Sequence, residues 1–394
     1  MNNFTMVIPS YWGRPGPALI DDEKKVFDHP TPLDQQGTLP RLLDSLAIFD
    51  DSPCRIVIIT VANDPDIAGA VKEHMDSLLA PYRDRYDVAN FSLETIGHLR
   101  ERLSGQAPGD DALALLNLDN YAAVRNMCSL AGVLHDSPAT VFIDDDEVFT
   151  DKHFFHKIDE HLGASHNGET VRALAGYYLQ PDTYRLDVSS VPAWRAEHWN
   201  NAQAMNNGFE QVIGRPPRLK PTPFVFGGNM TLTLDALKQV PFDPNITRGE
   251  DMDFLINLRI ANITFYLDRE LSIKHLPPAS HRPAWKKVRQ DILRFLYQRK
   301  KVRDHSEIAL DDLRPYPALF LGDDLEERII KTNQALGQHY LQKNDPDSAG
   351  QCDENIHLAQ HDPYKDFDTR AWLIQLTQNW QNLTAACHGL GIAT

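Results

Sequence analysis

The sequence predicts an α/β protein in which a mostly parallel sheet carries helices on both faces and a helical region follows. Short apolar runs rich in valine and isoleucine, typical of buried strands, alternate with segments in which leucine recurs at helical spacing. This alternation favours parallel strands joined by right-handed crossovers. Beyond about residue 280 the strand pattern stops, and helical patterns with polar breaks continue. We therefore predict one domain over residues 1–279, with halves of about 1–150 and 151–279, and a helical C-terminal region over residues 280–394.

The first half alternates strands and helices in order. The first strand begins at Thr5 and breaks into a loop that carries proline and glycine. Leucines at positions 39, 42, 43 and 46 then predict a helix for which Thr38 is placed as an N-cap. The other predicted elements of this half are a strand at 54–61, helices at 67–79 and 113–134, and a strand at 139–143.

The second half has shorter elements and one long irregular stretch. Its predicted elements are a helix at 152–162, a strand at 171–178, an apolar segment at 224–232, helices that begin near Asp235 and within 248–253, and short strands at 263–267 and 271–275. Residues 180–223 are predicted to be irregular, and loops of this length are uncommon unless they are lids or binding loops. After residue 278, a basic amphipathic helix is predicted over residues 285–303. It is interpreted as a solvated face, a site for a phosphate-bearing acceptor, or a weak contact with a membrane surface.

Composition excludes several classes of function. The net charge of −16 argues against nonspecific binding to nucleic acid or to anionic membranes. The four cysteines are far apart and have no zinc-binding spacing, so we expect reduced thiols, buried in the case of Cys54 and Cys128. The chain shows no signal-peptide pattern and no apolar stretch of transmembrane length, which predicts a soluble, cytoplasmic protein.

Four consecutive acids, Asp144 to Glu147, follow the apolar strand at 139–143. Carboxylates cannot continue a buried strand without partners, so we expect them at its carboxyl end, where open α/β sheets bind ligands. Oxygen ligands of this kind suit Mg²⁺ or Mn²⁺, and such a cation suits a pyrophosphate-bearing substrate. The alternative is a solvated acidic turn.

Further short motifs occur in a particular order around these acids. They are Val7-Ile8-Pro9, Asn63-Asp64, Arg125-Asn126, Asp144-x-Asp146, Gly227-Gly228-Asn229, Gly249-Glu250-Asp251 and His275. In this order, and over about residues 4–278, the chain resembles the GT-A class of nucleotide-sugar glycosyltransferases, most closely their family-two-like branch with a DxD motif. The resemblance implies a Rossmann-like GT-A fold, a nucleotide-sugar half at about 1–150 and an acceptor half at about 151–279.

The resemblance also implies roles for individual residues. Asp146 and His275 would bind Mn²⁺ or Mg²⁺, and Asp251 would be the base that deprotonates the acceptor hydroxyl, with Glu250 or Asp253 as substitutes. The residues expected to contact a UDP- or GDP-sugar donor are Pro9, Tyr11, Arg14, Asn63, Asp64, Arg125, Asp144, Asp145, Gly227 and Gly228. Asp145 is expected to make at most a minor contact with the donor, and Glu147 is expected to bind neither the metal nor the donor. The acceptor would be a carbohydrate or a small hydroxylated molecule, and the reaction an inverting transfer.

Three other functions remain open at this stage. A retaining GT-A enzyme that acts on a small phosphorylated or carboxylated acceptor would share the metal motif. A sugar nucleotidyltransferase would have a similar acidic site, but the glycine-rich, basic loop typical of that class does not follow the first strand. A non-catalytic module that binds carbohydrate or metal through residues 144–147 is the third. The closely spaced oxygen ligands of a dedicated calcium loop are not found around these acids.

Overall fold

A computed structural model describes residues 4–16, 27, 30–49, 54–104, 108–278 and 282–391. Its strands are Phe4–Gly13 (β1), Thr31–Pro32 (β2), Cys54–Ala62 (β3), Val88–Phe91 (β4), Ala139–Phe142 (β5), Glu147–Val148 (β6), Ser165–His166 (β7), Glu169–Thr170 (β8), Ala173–Leu179 (β9), Leu219–Pro221 (β10), Met230–Thr233 (β11) and Phe265–His275 (β12). The main sheet has the order β10-β12-β9-β11-β5-β1-β3-β4, with β2 paired to β1 and β6 paired to β12.

The main sheet is mostly parallel, as predicted. Strands β5, β1, β3 and β4 run parallel to one another, and β9 runs parallel to β12. Strand β11 is antiparallel to both of its neighbours, and it therefore joins the two parallel parts. The carboxyl ends of β1, β3, β5, β9 and β12 consequently lie along the same edge of the sheet.

The helices cover both faces of this sheet and continue beyond it. They are Leu39–Ser45 (α1), Ala68–Arg83 (α2), Leu93–Leu103 (α3), Asp110–Ala114 (α4), Tyr121–Leu134 (α5), Phe154–His161 (α6), Ala193–Ala196 (α7), Asn201–Val212 (α8), Leu234–Gln239 (α9), Glu250–Ile260 (α10), Ala284–Asp304 (α11), Leu325–Gln342 (α12), Pro346–Gln360 (α13) and Thr369–Cys387 (α14). The described residues after 282 contain helices α11 to α14, in agreement with the predicted helical region.

Strand β3 shows why the chain folds in these layers. Its side chains alternate between two cores: Val57 and Ile59 belong to the core under α5, whereas Ile56 and Ile58 belong to the core under α1 and α2. This alternation is the period-two geometry of a strand that is buried on both faces. All four cysteines are buried thiols, as predicted for Cys54 and Cys128.

The helices after residue 282 share a core with the sheet. Phe295 of α11 and Trp380 of α14 lie in the same apolar cluster as Phe254 of α10, and the Trp380 indole donates to the Leu237 carbonyl at 2.7 Å. The predicted boundary between residues 279 and 280 lies outside the described residues, so the division into domains stays a prediction. Among the described residues, none of the helices has the length and apolarity needed to cross a bilayer.

Two predictions about the second half are wrong. Residues 180–223 are not irregular throughout, because they contain α7, α8 and β10. Helix α8 forms where Asn200 caps its first turn and Phe209 packs on Phe224 and Phe226. The two short strands predicted at 263–275 are a single strand, β12, in which a register shift between Leu267 and Ser272 accommodates the intervening residues.

The basic helix is also different from its prediction. Within α11, which is described in full, only Arg303 is exposed. Arg299 makes two hydrogen bonds of 2.7 Å to Glu326, and Lys301 is completely buried between Asp243 and Asp253. Lys301 thus neutralises two carboxylates inside the protein, and Arg299 pairs with a carboxylate at the surface. Arg299 and Lys301 therefore do not belong to a solvated basic face, whereas a phosphate-bearing acceptor or a membrane contact at this helix stays a prediction.

Candidate active site

The four acids from Asp144 to Glu147, called the acidic turn below, lie against the end of β12. Strand β6 pairs with β12 so that Glu147 lies opposite His275, and the Leu276 amide donates to the Asp146 carbonyl at 3.0 Å. Arg41 of α1 donates to the carbonyls of Asp146 and Leu276, at 3.2 and 2.8 Å. This pairing brings together two residues that are separated by 129 positions in the sequence, Asp146 and His275.

Asp146 and His275 form one end of the site. The His275 Nε2 lies 3.5 Å from the Asp146 Oδ2, and the other carboxylate oxygen of Asp146 is buried without a hydrogen-bond partner among the described residues. The imidazole stacks on the Tyr178 ring at 4.4 Å between centroids. Gln180 contacts Nδ1 at 3.2 Å, which orients the ring so that Nε2 faces Asp146. An unpartnered carboxylate oxygen beside an imidazole nitrogen is a donor set that fits a divalent cation.

Arg125 connects the acidic turn with the start of α10. It is buried in α5, and its guanidinium lies 2.8 Å from the Asp144 Oδ1 and 3.3 Å from the Glu250 Oε1. Burial opposes the charge, but the two carboxylates outweigh burial and raise the pKa of Arg125. Its Nη1 is buried without a partner among the described residues. Arg125 therefore connects Asp144, which is predicted to contact the donor, with Glu250, which is predicted as a substitute base.

The two other acids of the turn are directed into the protein. Asp145 accepts hydrogen bonds from Ser10 at 2.8 Å and from Thr38 at 3.1 Å, and burial together with the charge of Asp146 raises the pKa of Asp145 to about 7. Glu147 is completely buried and accepts from the Asp144 amide at 3.1 Å. Burial and the neighbouring Asp144 raise the pKa of Glu147. Both side chains thus fix the shape of the turn.

Two glycines allow the loop before β11 to approach the acids. The Gly228 amide donates to the Tyr178 hydroxyl at 2.8 Å, and the Gly227 amide donates to the Asp251 Oδ2 at 3.2 Å. A Cβ at Gly228 would overlap the Glu147 Oε1 and lie 2.8 Å from the Asp144 Cγ. A Cβ at Gly227 would lie 2.6 Å from the Arg125 Nη2. These positions require glycine because side chains occupy the space.

We expect Gly228→Ala to destabilise the protein by about 1–3 kcal/mol, because the added methyl group must displace the carboxylates of Asp144 and Glu147. Urea denaturation monitored by circular dichroism measures this loss. Gly69→Ala is the matched control: Gly69 lies in α2 with open space around its Cβ position, so alanine there should stabilise by up to about 1 kcal/mol. Equal stability of the two variants would contradict the close packing at Gly228.

The start of α10 places two further acids beside this loop. Glu250 is buried in its ion pair with Arg125, whereas Asp251 is only half-buried. Burial and the neighbouring Glu250 raise the pKa of Asp251 to about 6. Asp253 is completely buried and lies 2.7 Å from the Lys301 Nζ. Asp253 is therefore a core ion-pair residue, and its prediction as a substitute base is wrong.

The ends of β1 and β3 form the opposite end of the site. Arg14 lies 2.6 Å from Asp64, and Asn63 has a buried Oδ1 without a hydrogen-bond partner among the described residues. Tyr11 packs against the rings of Phe27 and Tyr121. Pro9 is buried inside β1, and its contact with a donor stays a prediction.

Several residues of the site were not predicted from sequence. They are Ser10, Thr38, Arg41, Glu147, Tyr178 and Gln180. Tyr178 and Gln180 had a usable signal, since they stand at the carboxyl end of a predicted strand, where a ligand site was expected. Arg41 had none, because it contacts the turn through backbone carbonyls of residues far away in the sequence.

Neither a protein-family model nor a curated protein sequence matches this chain. Among solved structures, the chain is similar to the mannosyltransferase PcManGT from Pyrobaculum calidifontis in complex with GDP-Man and Mn²⁺, with 11% identity over 98% of this chain and 86% of that one and a TM-score of 0.49. It is also similar to GalNAc-T7 with UDP, GalNAc and Mn²⁺, with 11% identity over 88% of this chain and 59% of that one and a TM-score of 0.39. Mouse xyloside xylosyltransferase 1 matches with 16% identity over 64% of this chain and 74% of that one, at a TM-score of 0.30. Similar architecture does not by itself establish a common function.

Proposed function

We propose that the protein is a metal-dependent GT-A glycosyltransferase that moves a sugar from a nucleoside-diphosphate sugar to an acceptor hydroxyl. The observation that carries this proposal is the pairing of Asp146 with His275, in which a buried carboxylate oxygen is left without a partner. This pair lies at the carboxyl edge of a mostly parallel sheet, next to the Arg125 ion pairs and the acids of α10. The order of sequence motifs gives independent support.

Asp146 and His275 would hold Mn²⁺ or Mg²⁺, while oxygens of the donor pyrophosphate and water would complete its coordination. When bound, the cation would neutralise the charge that develops on the leaving nucleoside diphosphate. Among the described residues there is no group of three or more His, Cys, Asp or Glu side chains arranged to hold a metal. In this proposal the donor itself therefore supplies part of the cation's coordination shell.

The donor would extend from this pair to the ends of β1 and β3. Asp144 and Arg125 lie next to the pyrophosphate position, and the unpartnered Nη1 of Arg125 is a donor that a phosphate or sugar oxygen satisfies. The unpartnered amide oxygen of Asn63 would accept a hydrogen bond from the nucleobase. The side chains of Tyr11, Arg14 and Asp64 would complete the nucleoside pocket. Gly227 and Gly228 let the loop before β11 approach Arg125 and Asp144, beside which the donor sugar would lie.

Asp251 is the proposed base, in preference to Glu250. Glu250 is buried and paired with Arg125, whereas Asp251 is half-buried and its Oδ2 accepts only the Gly227 amide among the hydrogen bonds of the described residues. The Asp251 carboxylate would take the proton of the acceptor hydroxyl as its oxygen bonds to the anomeric carbon. The bond from that carbon to the phosphate oxygen breaks on the opposite face, so the anomeric configuration inverts. Proton NMR of the first-formed product tests this stereochemistry.

A thermal-shift measurement with UDP and GDP, each with and without Mn²⁺, tests the proposal directly. A nucleotide that binds only the folded protein raises its melting temperature, and we expect this rise to require Mn²⁺ and to disappear with EDTA. Release of UDP or GDP from UDP-glucose or GDP-mannose then tests turnover. Pyrophosphate release from a nucleoside triphosphate and a sugar 1-phosphate, without release of UDP or GDP, would instead identify a nucleotidyltransferase.

We expect turnover to depend on pH through Asp251. Its pKa of about 6 means that the carboxylate is mostly protonated below that pH and cannot accept a proton, so kcat should rise as the pH increases from 5 to 7 and then level off. Initial rates of UDP or GDP release at saturating donor measure this rise, the acidic limb of the pH profile of kcat. Asp251→Asn should lower kcat at every pH and remove the limb. A limb that persists in Asp251→Asn would assign it to another group.

A further inference from the structure

Arg294 of α11 lies against the first turn of α10, although it belongs to the helical C-terminal region. Gly249, the residue before Glu250, has a left-handed backbone with a φ of 71°, and a Cβ there would lie only 2.6 Å from the Arg294 Nη1. The guanidinium therefore packs on the glycine from which α10 begins. Its side chain is 11% exposed, and its Nε is buried without a hydrogen-bond partner among the described residues.

The position of Arg294 is fixed from two sides. Its Nη2 donates to the Tyr316 hydroxyl at 3.0 Å and lies 3.1 Å from the Asp291 Oδ1. The other oxygen of Asp291 accepts from the Asn201 amide at 2.8 Å, where α8 begins. Helices α8 and α11 and the segment around Tyr316 thus hold one cation at the start of the helix that carries the proposed base.

Three charged groups and one phenol surround Asp251, and each comes from a different element. Glu250 belongs to α10 itself, Arg125 reaches the site from α5, Arg294 from α11, and the Tyr316 phenol faces the same region. Arg125 is already shared between two carboxylates, Asp144 and Glu250. Within the described part of the chain, Arg294 has one carboxylate partner at ion-pair distance, Asp291 on its own helix. Both cations favour the charged form of Asp251, Arg125 more than Arg294.

We propose that Arg294 is a positioning residue for the proton transfer: it fixes the start of α10 and, together with Arg125, supplies positive charge that stabilises the Asp251 carboxylate. This inference rests on the proposed function, since it concerns the base of that reaction. It makes the helical C-terminal region a functional part of the acceptor side of the site. Burial and Glu250 disfavour the charged form of Asp251, and Arg125 and Arg294 oppose both effects.

The test compares Arg294→Met with Arg294→Lys in the full chain, using release of UDP or GDP from UDP-glucose or GDP-mannose with Mn²⁺. Loss of the charge should move the acidic limb of kcat up by about one pH unit, which lowers kcat about fivefold at pH 6 and little at pH 8. Arg294→Lys retains the charge and should retain the limb. The KM for the donor and the melting-temperature rise with UDP or GDP and Mn²⁺ should be unchanged in both variants.

Several results would overturn the inference. An unshifted limb in a folded Arg294→Met would remove the electrostatic role of Arg294. If that variant fails to fold, Arg294→Gln makes the same comparison, because its amide can still bond to Tyr316. Failure of both neutral variants to fold, with a folded Arg294→Lys, would assign Arg294 to stability alone. If the wild-type protein binds UDP or GDP but turns over neither nucleotide sugar, the proposed function itself is contradicted, and this inference is lost with it.

Discussion

Replacement of Asp146 by asparagine is expected to reduce release of UDP or GDP from a nucleotide sugar by about a thousandfold. Asp146 and Glu147 each have a carboxylate oxygen that is buried without a partner among the described residues, but only Asp146 lies beside the His275 imidazole, so we expect it to be the main carboxylate ligand of a divalent cation. An amide keeps the shape of the side chain but loses its charge. The melting-temperature rise with UDP or GDP and Mn²⁺ should be lost as well. Stability without ligand should be equal or higher, because the variant has one fewer of four adjacent acids.

The matched control for this variant is Asp182→Asn. Asp182 lies two residues beyond Gln180, its side chain is 85% exposed, and it pairs with Lys274 at 3.0 Å. We expect this variant to keep wild-type turnover and wild-type Mn²⁺ dependence. The metal role of Asp146 would be contradicted by an Asp146→Asn protein that retains turnover, or by a wild-type protein that is fully active after thorough treatment with EDTA.

The strand pattern predicted most of the sheet because its strands are buried on both faces. Runs such as that of β3 are apolar on both sides and have no competing helical periodicity. The pattern failed in residues 180–223, where α8 buries polar side chains such as Asn201 and Asn206. Their partners are distant in sequence or belong to loops, so a reading of local hydrophobicity places no helix there.

The acidic turn was located correctly in the sequence, but the distribution of its side chains required the structure. Four adjacent acids look equivalent in the sequence, and the fold separates them by what each one meets. Asp145 meets two hydroxyl groups, Glu147 is enclosed under Gly228, and only Asp144 and Asp146 remain directed toward Arg125 and His275. These environments depend on contacts between strands far apart in the chain.

The basic helix shows the opposite limit of sequence analysis. Its charges were counted as one surface because lysine and arginine are rarely buried. The structure places Arg299 and Lys301 inside, where Glu326, Asp243 and Asp253 compensate them, and Arg294 beside the start of α10. A buried cation is indistinguishable from a solvated one in a sequence until the partner carboxylates are known.

Replacement of Lys301 by methionine is expected to destabilise the protein by about 3–5 kcal/mol at pH 7.5. The Lys301 side chain is completely buried, and its Nζ lies 2.8 Å from Asp243 and 2.7 Å from Asp253, which are equally buried. Methionine fills the space but leaves two buried carboxylates without their cation, and removal of one partner from such a group is costly. Urea denaturation at constant pH measures the free energy of unfolding. Lys300→Met is the control, because its pair with Asp304 is partly solvated, and it should cost less than about 1 kcal/mol.

The pH dependence of this loss identifies its cause. Burial raises the pKa of Asp253 to about 6 even with Lys301 present, and without that cation the pKa rises further. A carboxyl group whose pKa is raised by folding contributes its stability at low pH, where it is protonated, and loses it as the pH increases through the pKa of the folded state. The difference between Lys301→Met and the wild-type protein should therefore be smaller at pH 5 than at pH 7.5. A difference that is the same at both pH values would mean that lost packing, and not the uncompensated charge of Asp243 and Asp253, destabilises the variant.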